Sequence, residues 1–600
     1  MNKLLLQDAV DFHKKNQFKK ALKIYKTLLL EYPDDLELIF LIGTLFIQTK
    51  EYSESIKQFH KIVAKNPKNY HVLSNLGIAY MENNDFNNAE KYFKESIQIN
   101  YNFSHSHNNL GNLYFKLKDY KSAIAYYSNA LKIESSNEFY INRARAFIKS
   151  NAFFEAEEDL KKIPSKFKSL ELYLLQIELL NHFNKYSEII NLLSSMDSLI
   201  RDTEIIKIKE IDTLFHLKTY EDITLLIEKL SKINSKHFYR GLLFYKKNNF
   251  DDAIREFEYL INDTNYDYLA FNNLGLIKMD TGDFNSALDY FSKALVINPE
   301  FKEAKLNIGI IKLFNKNFLD GWPLYFYRQK DVPKILPPHL FEYKDLTIPN
   351  NKTLIIAEQG IGDHVFYLQI LKATLPYQYD FLIDERLVSL YSYLHRNNNI
   401  FSLNDSSINF NKYDSYIFIA DLFKYFISSI SDISIFKTKY HLSQNIINTS
   451  KSKHTIGISW KTFSNDTSSK HEKSFNLSFF IDNIKKNFKN FNLVNLQYGD
   501  ISHDMNSISS EDRSLFLSHE IDLKNDINSL FYLINQCDSI ITIGNLTAHI
   551  AGTLEKPTFV LVPKKFQRLW YWHTDEINIW YKNMKLFFLE SSSDSNLILK

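Results

Sequence analysis

A glycine-containing loop in the second half of the sequence has residue types that could bind an anionic or polar ligand. Residues 353–357, TLIIA, form a short apolar strand-like segment, which is followed by EQGIGDH and the amphipathic run VFYLQILKATL. A strand, a glycine loop and a helix in this order present unpaired backbone N–H groups to an anion or a polar ligand. Two glycines separated by one residue are weak evidence alone, because many α/β loops contain them.

The elements around this loop alternate between strand-like and helix-like segments, which predicts parallel sheets. Strands are predicted at 353–357, 379–384 and 413–421 in a first lobe, and at 455–460, 491–498 and 539–543 in a second lobe that begins at His454. Ligands bind at the carboxyl ends of such strands. The candidate binding loops therefore follow Ala357, Trp460, Gln497 and Ile543.

The first half of the sequence has a different organisation, a repeat of 34 residues. Gly43, Gly77 and Gly111 are spaced by this period, and it returns in Gly275 and Gly309. A fixed period of this length predicts stacked helix hairpins. Units begin near Asn2, Leu36, Tyr70, Ser104, Asn137, Asn234, Tyr268 and Lys302. Between about 171 and 233 the signature fades, and this stretch is either two degenerate repeats or an unrelated helical insert.

Two readings of the repeats stay open. Stacked hairpins present a concave groove for an extended peptide or a partner helix, or they serve as a rigid spacer or dimer surface. The last unit contains NFLDGWPLYFYRQ, in which Pro323 indicates a tight start or a kink. We expect this helix, with Trp322, Tyr325 and Arg328, to dock onto the domain that follows. Residues 331–352 are expected to be an extended linker.

The bulk composition excludes several classes of function. The formal net charge of +2 gives no electrostatic argument for a nucleic-acid partner. The single cysteine, Cys537, excludes an internal disulfide and a cysteine-based metal cage. No window approaches the roughly 18 consecutive apolar residues of a membrane span, and the amino-terminal apolar run is too short for a signal peptide. We expect a cytoplasmic protein without a membrane span.

The sequence resembles two known families. The Leu-Gly, Tyr, Ala, Phe and Pro pattern of the repeats resembles the tetratricopeptide repeat. AEQGIGDHVFYLQIL, GISWK, LVNLQYGD, IGNLTAHIAGTLEKPTFVLVP and WYWHTDEINIWYKNMKLF occur in the order found in heptosyltransferase-like glycosyltransferases of family 9, which have the GT-B fold. The expected fold is a tetratricopeptide solenoid followed by a GT-B domain of two Rossmann-like lobes. The expected boundaries are repeats at 1–170 and 234–330, degenerate repeats at 171–233, and lobes at 353–450 and 451–600.

The resemblance implies an inverting, metal-independent transfer of a sugar from a nucleotide-sugar, with no further cofactor. Asp363 corresponds to the general base of the family, a role that suits a carboxylate, although Asp at this place also caps helices. The acceptor-side loop would include Gln359, Gly360, Gly362 and His364. The nucleotide-sugar would contact Lys473, Gln497, Asn545, Leu546, Thr547 and His549. A solvated lysine cluster and a core histidine are the alternative interpretations of Lys473 and His549.

One departure from the family pattern concerns the donor side. Many relatives have Asp-Thr where this sequence has Gly544-Asn545, and the charge of that aspartate is absent here. Three functions therefore remain open: a glycosyltransferase whose repeats hold a protein acceptor or partner, a non-catalytic repeat scaffold with a decayed transferase domain, and a transferase that acts on a surface glycan or lipid-linked saccharide.

Overall fold

The structure is a computed structural model of the chain. It describes residues 3–262, 265–328, 333, 336–337, 340–345, 347–372, 375, 377–396, 398–405, 407–436, 440, 447, 453–461, 475–563, 569–573 and 575–589. The chain divides into two compact units, Met1–Ser231 and Lys232–Lys600. The first unit is helical. The second begins with helix hairpins and continues into a region with two sheets of parallel strands.

Helix hairpins make up the first unit and the start of the second. The first unit contains α1 (Lys3–Lys14), α2 (Phe18–Glu31), α3 (Leu36–Gln48), α4 (Tyr52–Lys65), α5 (Tyr70–Glu82), α6 (Phe86–Ile99), α7 (Ser104–Lys116), α8 (Tyr120–Ile133), α9 (Asn137–Lys149), α10 (Phe153–Lys161), α11 (Leu170–His182), α12 (Tyr186–Ser194), α13 (Ser198–Arg201), α14 (Glu204–Leu217) and α15 (Tyr220–Glu228). The second contains α16 (Ile233–Lys246), α17 (Phe250–Tyr259), α18 (Asp267–Asp280), α19 (Phe284–Ile297), α20 (Lys302–Phe314) and α21 (Phe318–Tyr325).

In each hairpin, one residue between the two helices has a left-handed backbone conformation, with positive φ. Among the described hairpins these residues have φ between 56° and 84°, and they are Asn16, Lys50, Asn84, Lys118, Asn151, Asn184, Lys218, Asn248, Gly282 and Lys316. Asn and Gly tolerate this conformation best. Asn184 and Lys218 lie in the stretch where the sequence signature fades, so the turn geometry of the repeats continues through 171–233.

Glycines let the two helices of a hairpin approach closely. A Cβ added to Gly77 would lie 2.6 Å from the Phe93 ring, and one added to Gly111 would lie 2.6 Å from the Tyr127 ring. Both rings are fully buried. The aromatic side chain of the second helix therefore fills the space that the glycine leaves on the first, which explains the 34-residue spacing of both residue types.

The first sheet has five parallel strands in the order β1-β5-β2-β3-β4. The strands are β1 (Phe341–Glu342), β2 (Thr353–Ile356), β3 (Asp380–Ile383), β4 (Asn399–Ser402) and β5 (Ser415–Phe418). The helices of this region are α22 (Ile361–Tyr367), α23 (Glu385–Leu394) and α24 (Ile419–Leu422). β1 lies within the segment expected to be a linker, and it pairs with β5 through Phe341 and Ser415. The sequence did not predict β1, because a two-residue strand leaves no periodic signal.

The second sheet has six parallel strands in the order β11-β10-β9-β6-β7-β8. The strands are β6 (His454–Ser459), β7 (Phe491–Asn495), β8 (Phe516–Leu517), β9 (Ser539–Ile543), β10 (Thr558–Pro563) and β11 (Met584–Leu589). The helices are α25 (Leu477–Asn487), α26 (Ser502–Ser507), α27 (Ser510–Arg513), α28 (Ile527–Gln536) and α29 (Leu546–Thr553). Read from β8, this is the 3-2-1-4-5-6 order of doubly wound α/β proteins.

The last hairpin, α20 with α21, belongs to the core of the α/β region. Trp322 is 3% exposed and donates its indole N–H to the Ile427 carbonyl oxygen at 2.8 Å. Its ring lies edge-on to Trp570, with ring centroids 5.2 Å apart. His573 Nδ1 lies 2.7 Å from the Phe314 carbonyl oxygen. This helix docks onto the following domain, as the sequence led us to expect.

Candidate functional site

Each sheet has a point at which the strand order reverses, between β2 and β5 in the first sheet and between β6 and β9 in the second. In open α/β sheets, ligands bind in the crevice outside the carboxyl ends of the strands at such a point. The candidate site is therefore built from the residues that follow these four strands. The segment 358–363 follows β2, and the segment 544–549 follows β9.

The two segments meet. A Cβ added to Gly362 would lie 3.3 Å from His549 Cδ2 and 3.6 Å from Leu546 Cα. Helix α22 thus packs directly on helix α29, and glycine at 362 permits the approach. The structure brings together the acceptor-side and donor-side residues that the sequence predicted separately.

Asp363 lies in the first turn of α22. Its Oδ2 accepts the Gly360 N–H at 3.1 Å, which is the capping role. Its Oδ1 accepts the Tyr571 hydroxyl hydrogen at 2.9 Å. Each oxygen of a carboxylate has a second lone pair, so these bonds leave acceptor capacity for a ligand hydroxyl.

Burial raises the pKa of the Asp363 carboxyl, although part of the residue is accessible to solvent. The hydrogen bonds from Tyr571 and from the Gly360 N–H oppose this shift, because they favour the charged form. A carboxylate with a raised pKa is a stronger base than an ordinary aspartate. The geometry therefore allows Asp363 both to cap the helix and to accept a proton.

His364 and Gln359 hold the loop from within. The His364 ring is buried, its Nδ1 accepts the Asp384 backbone N–H at 3.3 Å, and burial lowers its pKa to about 4. Gln359 has φ of 68° and donates from Nε2 to the Tyr325 hydroxyl oxygen at 3.1 Å. Both side chains are engaged with protein groups, so they position the loop.

Gln497 organises the loop after β6. The side chain is 1% exposed, and its Oε1 accepts from Ser459 Oγ at 3.1 Å, from the Trp460 N–H at 3.0 Å and from the Lys461 N–H at 2.7 Å. Asn545 lies opposite and donates from Nδ2 to Ser459 Oγ at 2.8 Å. Asn545 also caps α29, because its Oδ1 accepts the Ala548 N–H at 3.4 Å. These amides fix the shape of the second crevice.

His549 is buried between α29 and three aromatic residues near the end of the chain, Tyr571, Trp572 and Tyr581. Its Nδ1 lies 2.9 Å from the Tyr581 hydroxyl, and its ring stacks on Trp572 with centroids 5.1 Å apart. Burial lowers the pKa of His549 to about 3, so the ring is neutral at physiological pH. Thr547 is also buried, whereas Leu546 is partly exposed beside Gly362.

Lys473 lies outside the described residues. The described basic residue of this crevice is Lys461, whose Nζ forms an ion pair with the mostly buried Asp504. Within the described ranges, no group of three or more His, Cys, Asp or Glu side chains is placed to hold a metal ion. In the same part of the chain, no helix is long and apolar enough to cross a membrane.

Sequence reasoning missed two parts of the site. The first is the ion cluster of Arg328 with Glu358 and Asp421, which lies at the crevice of the first sheet. A signal existed, since Glu358 and Asp421 each follow an apolar strand, and two buried carboxylates at neighbouring strand ends require a cation. The second is Tyr571, which no local pattern connects to Asp363 across 208 residues.

Comparison with known proteins identifies the repeats. Residues 70–103, 105–137 and 268–301 match family profiles of the tetratricopeptide repeat. The hairpins α5–α6, α7–α8 and α18–α19 therefore match tetratricopeptide repeats, which are protein-interaction modules. No curated protein matches the chain in sequence.

Three solved structures are similar to part of the chain. A tetratricopeptide repeat protein from Parabacteroides merdae is 18% identical, with a TM-score of 0.33 over 40% of this chain and 98% of that protein. The repeat protein TTC0263 from Thermus thermophilus is 19% identical, with a TM-score of 0.28 over 30% and 100%. PilF from Pseudomonas aeruginosa is 16% identical, with a TM-score of 0.31 over 36% and 97%. These TM-scores are too low to indicate a function, so the assignment of tetratricopeptide repeats rests on the family profiles.

Proposed function

We propose that the α/β region is an inverting, metal-independent glycosyltransferase of GT-B architecture, and that the repeats bind its protein acceptor or a protein partner. The lobes at 353–450 and 451–600 would serve the acceptor and the nucleotide-sugar respectively, with β1 added to the first. The observation that carries this proposal is the position of Asp363. Asp363 lies in the first turn of the helix that follows β2, its carboxyl has a raised pKa, and this helix packs against the helix that follows β9.

In this mechanism Asp363 takes the proton of the acceptor hydroxyl while the hydroxyl oxygen attacks the anomeric carbon. The bond from that carbon to the diphosphate oxygen breaks, and the nucleotide leaves with the electron pair. The amino-terminal end of α29, at Leu546 and Thr547, offers backbone N–H groups and a helix dipole to the diphosphate. Lys461, which forms an ion pair with Asp504, would supply positive charge to the leaving group.

A second function, a non-catalytic repeat scaffold, is favoured by Gly544. An aspartate at 544, as in the family that the sequence resembles, would add a carboxylate beside the nucleotide-sugar. Trp572 fills the space for it, because its Nε1 lies 2.9 Å from the position of a Cβ on Gly544. In this alternative the α/β region supports partner binding through the repeats and does not bind a nucleotide-sugar.

A transfer assay distinguishes the two functions. The purified protein is incubated with cell extract and with radiolabelled UDP-, ADP-, GDP- or CMP-sugars in turn, and label incorporation into protein and glycan fractions is counted. The transferase predicts incorporation from one donor class, with no incorporation by the Asp363→Asn variant. Equal incorporation by this variant would remove Asp363 from the mechanism, and no incorporation from any donor would favour the scaffold.

A further inference from the structure

Arg328 occupies the crevice of the first sheet, at the carboxyl ends of β2 and β5, where the strand order reverses. Its Nε donates to Glu358 Oε2 at 3.1 Å, and its Nη2 donates to Glu358 Oε1. Its Nη1 donates to Asp421 Oδ1 and, at 3.1 Å, to the Tyr325 carbonyl oxygen. The three charged side chains are between 1% and 4% exposed.

The planar guanidinium fits this place for a physical reason. It meets Glu358 with two parallel N–H donors and still reaches Asp421, in the helix that follows β5, which the single point charge of a lysine does not reproduce. Two buried carboxylates raise the pKa of Arg328 further above its ordinary value. The Tyr325 ring lies under the guanidinium, 4.9 Å from its carbon.

The same helix end contacts the next residue of the loop. The Tyr325 hydroxyl accepts from Gln359 Nε2 at 3.1 Å and lies 3.3 Å from the Tyr367 hydroxyl, at the end of α22. Arg328 therefore binds Glu358, and Tyr325 at the end of α21 contacts Gln359 and Tyr367. These three partners lie on both sides of Asp363 in the sequence.

We infer that Arg328 is a positioning residue of the candidate site. The last tetratricopeptide hairpin inserts a guanidinium where an open α/β sheet would otherwise receive a ligand, and it thereby fixes the 358–363 loop. The strand ends of β2 and β5 then hold the last hairpin, so the nucleotide is left to the crevice of the second sheet and the acceptor to the side of α22 where Asp363 lies. The catalytic consequence rests on the proposed function, whereas the fixing of the loop does not.

Hydrogen–deuterium exchange of the full-length protein tests the fixing of the loop without any substrate. In Arg328→Met we expect amides of 355–368 and 416–427 to exchange about tenfold faster or more, because a buried pair that loses one partner leaves a buried charge. Arg328→Lys should give a smaller increase in the same two segments. The control is Lys312→Met, which removes a more exposed ion pair, with Asp320 at 2.8 Å, on the same hairpin and should leave both segments unchanged.

If Arg328→Met does not fold, Glu358→Gln keeps the shape of the side chain and should loosen the same two segments. Unchanged exchange in both segments, in any folded variant of Arg328 or Glu358, would overturn the inference. In the transfer assay, Arg328→Lys should lower kcat about tenfold or more without changing KM for the nucleotide-sugar, because the donor crevice lies on the other sheet. An unchanged kcat in an active protein would also overturn it. An inactive wild type with the predicted exchange would leave the loop assignment standing and remove the proposed function alone.

Discussion

The indole N–H of Trp572 lies 2.9 Å from the position that a Cβ on Gly544 would take. Gly544 directly follows β9, where the second sheet opens towards its crevice, and Trp572 is 3% exposed and stacked on His549. Trp572 therefore fills the space that a side chain at 544 would need.

This pair predicts a double-mutant effect. Gly544→Ala should lower the free energy of unfolding by about 1–3 kcal/mol, as overpacking does. The same change made in Trp572→Ala should cost much less, because the indole is gone. Urea unfolding of the four proteins measures the coupling energy. If the double variant loses the sum of the two single losses, Trp572 does not exclude a side chain at 544.

Asp363→Asn should abolish transfer and stabilise the protein at neutral pH. The folded pKa of Asp363 is raised, so the wild-type carboxyl costs no stability below its unfolded pKa of about 3.9, and the cost grows as pH rises to the folded pKa. The amide avoids this cost, since it can accept from the Gly360 N–H and donate to the Tyr571 oxygen.

Thermal unfolding of wild type and Asp363→Asn from pH 4 to pH 8 measures this effect. We expect the melting temperatures to agree near pH 4 and the variant to be higher at pH 7. A variant that is less stable than wild type at pH 7 would show that the carboxylate is favourable where it lies, and that its pKa is not raised.

Tyr571→Phe should move the acidic limb of the pH–kcat profile to higher pH. The lost hydroxyl stabilises the charged carboxylate, so its removal raises the pKa of Asp363 further, and the base is protonated at a higher pH. A hydrogen bond to a charged group is worth about 1.5–3 kcal/mol, which corresponds to about one to two pH units.

Tyr581→Phe is the matched control for this experiment. Its hydroxyl lies 2.9 Å from His549 Nδ1, and Asp363 accepts from Tyr571 instead. The acidic limb should keep its position in this variant. A shift of equal size in both variants would point to a general loosening of the aromatic cluster.

Gly77→Ala should destabilise the first unit, and Phe93→Leu should relieve the effect. The added methyl gains about 1 kcal/mol of helix propensity but lies 2.6 Å from the Phe93 ring, and overpacking costs about 1–3 kcal/mol. The chain contains the compatible pair at 144 and 160, where Ala144 and Leu160 share one buried cluster. Urea unfolding should show Gly77→Ala/Phe93→Leu to be more stable than Phe93→Leu alone; the reverse order would contradict this packing argument.

The sequence predicts those parts of the fold that local periodicity or strand apolarity encodes. Gly77 and Phe93 recur with the repeat, and the strands that end at Ile356 and Ile543 are continuous apolar runs, so both were found. β1 was missed because two residues have no period. The pairing of Tyr571 with Asp363, and of Arg328 with Asp421, depends on tertiary folding across 208 and 93 residues, which one sequence does not encode locally.

A calorimetric titration of the full-length protein with UDP-, ADP-, GDP- and CMP-sugars tests directly whether it binds a nucleotide-sugar. Hydrogen–deuterium exchange of the protein, with and without the best ligand, then locates the binding site. A transferase should show saturable binding of one nucleotide class and slower exchange at 544–550 and 459–461. Asp363→Asn should bind with equal affinity, because Asp363 acts on the acceptor. No binding of any nucleotide-sugar at millimolar concentration by the folded protein would contradict the transferase and leave the repeat scaffold as its function.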